Sequence, residues 1–174
     1  MLDIHGIPIK SVWSLVTWLP GFILRLFFPK ERLAALIYVD VRARHDSVTV
    51  NLAQSASYQI WLTLINLSPF EVELDRAEFC FAYGGMGIKT SVLKKQKFTP
   101  GEIATLYLNE IIPDGLAQQM ATSHENVSNF SGGLLEGFIE FDCKLHPFRK
   151  DGFTLSGIKP HVINSNYRTM SQTR

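Results

Sequence analysis

The residue types that could do chemistry are few and scattered. The five histidines, His5, His45, His124, His146 and His161, include no pair at i,i+4 spacing and no carboxylate at ligand spacing. A transition-metal centre needs three or four converging ligands, so no metal is assigned. Ser123-His124-Glu125 holds the types used in nucleophilic catalysis. Adjacent residues point apart, however, and no Gly-x-Ser-x-Gly elbow presents a serine. Asp40 and Glu140 fall on strand faces expected to be wet, without the convergence that paired carboxylates require. Gly84-Gly-Met-Gly87 lacks the Lys-Ser/Thr and the following helix of a phosphate loop, and reads as a hairpin turn. No catalytic residue, cofactor or metal is expected, and the chain reads as non-enzymatic.

Two cysteines are too few for a disulfide framework. Alternation puts Cys80 beside Glu78 on a solvent face and Cys143 with Ile139 and Phe141 on a core face. Side chains on opposite faces rarely reach disulfide geometry, so two free thiols are expected. The formal net charge is +1, with 46% hydrophobic and 19% charged residues. That describes an ordered domain and gives no reason to expect nucleic acid, whose binders carry a clustered basic face. The densest basic cluster, Lys94, Lys95 and Lys97, suits the guarding of a sheet edge. Asn-x-Ser triplets at Asn66, Asn126 and Asn129 matter only in a secreted chain.

What positions these residues is a series of alternating runs. Residues 58–65 place Tyr58, Ile60, Leu62 and Leu64 on one face and Gln59, Trp61, Thr63 and Ile65 on the other. That alternation, rich in aromatic and β-branched residues, is a strand pattern. Asn66-Leu-Ser-Pro69 is turn chemistry, and a second run follows with Ala77, Phe79, Phe81 and Tyr83 on one side. Further strands are expected over 37–45, 48–52, 88–98, 102–108, 134–145 and 153–158, a short helix over 113–121, and a polar loop over 123–133. The expected fold is all-β: an immunoglobulin- or fibronectin-like antiparallel β-sandwich of about seven strands with one short helix and an N-terminal apolar helical segment.

That segment runs from Val12 to Phe28. As a helix it would span about 25 Å, short of the roughly 30 Å hydrocarbon core, and Pro20-Gly21 and Arg25 interrupt it. It could be a kinked or re-entrant piece, an interfacial helix, or a helix packed on the protein itself. Trp13, Trp18, Phe22, Leu26, Phe27 and Phe28 are the expected membrane contacts, with Arg25, Lys30 and Arg32 near lipid headgroups. No secretory cleavage pattern follows. The basic residues after the segment outnumber those before it, so the domain is expected at the cytoplasmic side of a membrane.

Several of these features together resemble a known family. Leu64-Ile-Asn66, Pro69, Ala77-Glu-Phe-Cys-Phe81 and Gly84-Gly85 are similar to the strand, turn, long strand and glycine-rich turn of type 2 late embryogenesis abundant proteins. Those proteins share their domain with the water stress and hypersensitive response (WHy) proteins. The resemblance spans residues 37–163; here Leu67 and Ser68 separate Asn66 from Pro69, where the family usually has Asn-Pro. It implies an immunoglobulin-like or fibronectin-like sandwich, often membrane-tethered, and no catalytic residues.

The organisation expected is an apolar membrane-associating or packing segment at 1–30, a β-sandwich at 31–164 and a polar tail at 165–174. The expected function is a membrane-associated interaction or adaptor module. Its partner would be a membrane surface or a membrane protein, and the N-terminal segment or the 88–98 edge strand offers a route to homo-oligomers. The alternative is a β-sandwich that binds a lipid or other apolar small ligand between its sheets or beneath the N-terminal helix.

Overall fold

A computed structural model of the chain describes residues 18–44, 46–53, 55–126 and 132–163. The expected tail at 165–174 and Trp13 lie outside the described residues. The described chain is mostly β, in two sheets, with a few short helices. The helices are α1 (Gly21–Phe27), α2 (Lys30–Ala35) and α3 (Asp114–Asn126). The strands are β1 (Ile37–Val41), β2 (Val48–Asn51), β3 (Ser57–Asn66), β4 (Val72–Tyr83), β5 (Met86–Val92), β6 (Gln96–Phe98), β7 (Ile103–Ile111), β8 (Gly133–Cys143), β9 (Phe148–Ile158) and β10 (His161–Ile163).

The first sheet is organised on β3. Its first half pairs with β2, its second half with β1, and its whole length with β7 on the other side. The second sheet is organised on β4, flanked by β5 and β6 on one side and β8 on the other, with β9 beyond β8. The inner faces hold the alternating apolar residues: Tyr58, Ile60, Leu62 and Leu64 from β3 meet Leu74, Ala77, Phe79 and Phe81 from β4 in one core. Tyr58 bridges the layers. Its ring lies 5.2 Å from that of Phe81, and its hydroxyl bonds the Thr90 hydroxyl on β5.

Local chemistry explains the joints. The β3–β4 turn closes on Asn66, which is 2% exposed. Its Nδ2 donates to the carbonyls of Phe70 (2.8 Å) and Phe98 (3.0 Å), and its Oδ1 accepts from the Ser68 amide (3.0 Å) and hydroxyl (2.6 Å). The β4–β5 hairpin turns on Gly84 (φ 62°) and Gly85 (φ 80°), left-handed conformations that glycine takes without a Cβ clash. Gly137 on β8 lies so close to β4 that a Cβ there would stand 2.2 Å from the Glu78 carbonyl oxygen.

Several expectations are corrected. β10 pairs with β2 in parallel, so the first sheet is not wholly antiparallel. The 88–98 strand is two pieces, β5 and β6, both against β4. β9 begins at Phe148, because register shifts along β8–β9 hide its alternation. The loop expected from 123 is helical to Asn126, since α3 continues on Met120 and Ala121 packed against the core.

Candidate functional site

The surface singled out by the N-terminal residues is built on α1. Leu24 and Phe28 stand four residues apart and therefore share one face of the helix. Both are buried, at 2% and 4% exposed, and Phe28 meets the Phe70 ring edge-on at 5.3 Å. Phe28, expected as a membrane contact, is thus a core residue, because the chain leaving α1 turns its side chain onto the β3–β4 turn. Phe22 and Leu26 stand four apart on another face and are 75% and 80% exposed. Trp18 and Phe27 are also exposed, at 87% and 53%. α1 is apolar on both sides: one side closes the core, the other carries an uncovered aromatic and aliphatic ledge. No helix among the described residues is long and apolar enough to cross a membrane.

The cations around the ledge are set by α2. Pro29 starts that helix, and Leu33, fully buried, pins it. Arg32 donates through Nη1 to the Phe27 carbonyl (3.0 Å), and its guanidinium lies 5.4 Å from the centre of the Phe28 ring. Arg25 is exposed on α1. Lys30 is exposed too, but it borders a shallow groove of about 290 Å³ shared with Asp75, Glu140 and Asp142, so its local field is mixed. Two further cations, not anticipated, belong to the same end of the molecule. Lys144 lies 5.1 Å from the centre of the Phe70 ring, and Lys150 donates to the Ala34 carbonyl (3.0 Å). Burial pushes the Lys150 ammonium below the usual lysine range. They come from just after β8 and from β9, far away in the chain, which is why the sequence did not connect them with α1.

The other candidates resolve differently. Two lysines of the cluster face acids on β4 and just before it: Lys97 reaches Glu71 (3.2 Å) and Glu73 (3.9 Å), and Lys95 reaches Asp75 (3.6 Å) and Glu73 (3.9 Å). Their charge is largely compensated across the strand pair, a pairing that linear spacing hides. Cys80 and Cys143 are free thiols, each half-buried. Burial raises the Cys143 thiol above the ordinary range. Asn66 of the first Asn-x-Ser triplet is buried in its turn. A surface groove of about 590 Å³ runs beside Asp40, Arg42, Arg44, Asp46, Lys159 and His161, so its rim is polar. It opens at one side of the stack, where β1, β2 and β10 of the first sheet face β9 of the second.

No protein-family profile matches the sequence, and no curated protein matches it. Solved structures do. The chain is similar to a protein described as late embryogenesis abundant, at 9% identity over 88% of each chain, TM-score 0.46. It is similar to a protein of Arabidopsis thaliana at 13% identity, covering 75% of this chain and 82% of that one, TM-score 0.49. It is also similar to an ApaA protein from Bordetella pertussis at 12% identity, covering 71% and 94%, TM-score 0.47. The late embryogenesis abundant resemblance of the sequence thus has a counterpart among solved structures, at low identity.

Proposed function

We propose that the protein is a non-enzymatic interaction module, an immunoglobulin- or fibronectin-like sandwich that docks on a membrane surface, on its cytoplasmic side, through α1. The observation that carries this reading is the two-sided helix. Leu24 and Phe28 seat α1 in the core, while Trp18, Phe22, Leu26 and Phe27 are exposed near Arg25 and Arg32 in the chain. Contiguous exposed apolar patches with a basic rim suit a lipid interface: the side chains enter the headgroup boundary and the cations meet anionic lipid. Pre-anchoring removes most of the ordering cost that a free peptide would meet on binding.

Co-sedimentation of the full chain with vesicles tests this. Binding should be stronger to vesicles containing anionic lipid than to neutral ones, and should weaken with salt. Phe22→Ser with Leu26→Ser should reduce the partition coefficient by about tenfold or more, since burial of one such side chain contributes about 1.5–3 kcal/mol when complete and less at an interface. Neither residue supports the core, so thermal unfolding should stay unchanged. Equal sedimentation of the variant and the parent would refute the role of α1.

A further inference from the structure

The sheets have unequal edges. β5 carries Lys89, and the chain leaves the edge at Leu93, Lys94 and Lys95 before β6. β9 carries Arg149, Lys150 and Asp151, shifts register, and has α2 packed against it. β10 is three residues long. These are the devices by which sheets avoid joining others: charge, irregularity, cover and shortness. β7 has only one of them, the single charge of Glu110 near its end. It runs nine residues, Ile-Ala-Thr-Leu-Tyr-Leu-Asn-Glu-Ile, without Lys, Pro or a register shift against β3. Among the described residues β3 is its only strand partner.

The free side of β7 can be read from parity. Antiparallel pairs alternate between those that exchange both backbone hydrogen bonds and those that exchange none. The Ile112 amide donates to the Ala56 carbonyl (2.8 Å), which continues the register Glu110↔Tyr58, Leu108↔Ile60 and Leu106↔Leu62. Even-numbered residues therefore bond to β3. Ile103, Thr105, Tyr107, Asn109 and Ile111 turn their N–H and C=O groups to the open edge. The Ile111 amide accordingly rests on the neighbouring Glu110 carboxylate, at 3.3 Å in an exposed position.

We propose that this edge is where the protein pairs with a second copy of itself, β7 against β7 about a two-fold axis at Tyr107. The strand is self-complementary in that register. Ile103 falls opposite the second copy's Ile111, Thr105 opposite Asn109, and Tyr107 opposite Tyr107. Every facing pair is matched in kind, and all belong to the outward-bonding set. The single charge, Glu110, falls opposite Ala104 and meets no like charge. Ile103, Tyr107 and Ile111 are 44%, 39% and 74% exposed in the single chain. Tyr107 already packs on Trp61, ring centroids 4.3 Å apart, so pairing would join two such aromatic couples across the axis. The product is one continuous sheet through both molecules, closed by symmetry, with no β7 edge left. This pairing does not depend on the membrane reading.

Sedimentation velocity on the full chain, without lipid, tests it. The parent should sediment with twice the 19.7 kDa chain mass. Tyr107→Lys places like charges across the axis and should raise the dissociation constant by about tenfold or more. Tyr107→Glu should do the same, and an equal mixture of the two should regain the dimer, which also shows that each variant is folded. Phe22→Ser with Leu26→Ser should leave the dimer intact, separating this surface from the α1 ledge. A monomeric parent, a dimer that survives Tyr107→Lys undiminished, or a dimer lost with the α1 variant would each overturn the proposal.

Discussion

Replacing Asn66 by alanine should unlock the joint between the two sheets. The amide holds four groups at once: two carbonyls that end neighbouring segments, Phe70 and Phe98, and the amide and hydroxyl of Ser68. The turn is buried, so water cannot replace these bonds without opening it; Ser68 and Phe70 are 0% and 1% exposed. Ser68 can partly recover, because its hydroxyl also bonds the Phe70 carbonyl at 3.1 Å. That leaves the Phe98 carbonyl and the Ser68 amide without partners, at about 1–3 kcal/mol each, or about 2–6 kcal/mol together. With a urea m-value of about 2 kcal/mol/M, the midpoint should fall by at least about 1 M. Asn66→Asp is the sharper variant, because it keeps the shape and the Ser68 contacts but turns a carboxylate oxygen toward two carbonyl oxygens. Its protonated form is favoured when folded, so its stability should fall as pH rises from acid to neutral, a slope the parent lacks at this site. A midpoint shift below about 0.3 M for Asn66→Ala, or no added pH slope for Asn66→Asp, would refute the account of the turn.

Two further outcomes follow from single contacts. Burial chiefly pushes the Tyr58 phenol from its ordinary value of 10 up to about 12, against a lowering from its Thr90 bond. A raised pKa keeps the folded state protonated where the unfolded chain has ionised. Stability is therefore fully present below pH 10 and lost between about 10 and 12, by roughly 2–3 kcal/mol, and Tyr58→Phe should flatten that loss in denaturation curves taken across this range. Gly137→Ala forces a Cβ to 2.2 Å from the Glu78 carbonyl oxygen and 3.0 Å from the Phe79 Cα. Because both are backbone atoms of the central β4 strand, the midpoint of thermal unfolding should drop by several degrees, whereas Gly152→Ala, in open space but at φ 63°, should cost only about 1 kcal/mol of backbone strain.

The strands were legible where one phase of alternation persists. β3 and β7 keep theirs throughout, and the inner face 58, 60, 62 and 64 is the one observed. β4 changes phase: Val72 and Leu74 are buried, then Ala77, Phe79 and Phe81, because a register irregularity between Leu74 and Arg76 inserts a residue against β8. The break is present in the letters themselves, as even apolar positions giving way to odd ones. In β9 only Phe148 and Ile158 are buried among half-exposed neighbours, so its first half looks like a turn. β10 is too short, and its parallel partner too distant in sequence, for any periodicity to announce it.

The site was harder to see for a different reason. Periodicity marks which residues are apolar, not which of two apolar faces meets the protein. In α1 the i,i+4 pairs Leu24–Phe28 and Phe22–Leu26 are chemically equivalent, and only the position of Phe70 decides that the first goes inside. The self-pairing of β7 is hidden in the same way. Its outward residues Thr105, Tyr107 and Asn109 read as an ordinary wet face, because the alternation that sorts inside from outside is silent on whether a strand is central or at an edge. Edge status is set by the path of the whole chain: β7 lies outermost because the connections from β6 and into α3 both leave toward the other sheet. Once that path is known, the absence of lysine, proline and irregularity from 103–111 acquires meaning. The same composition in β3, paired on both sides, requires no protection.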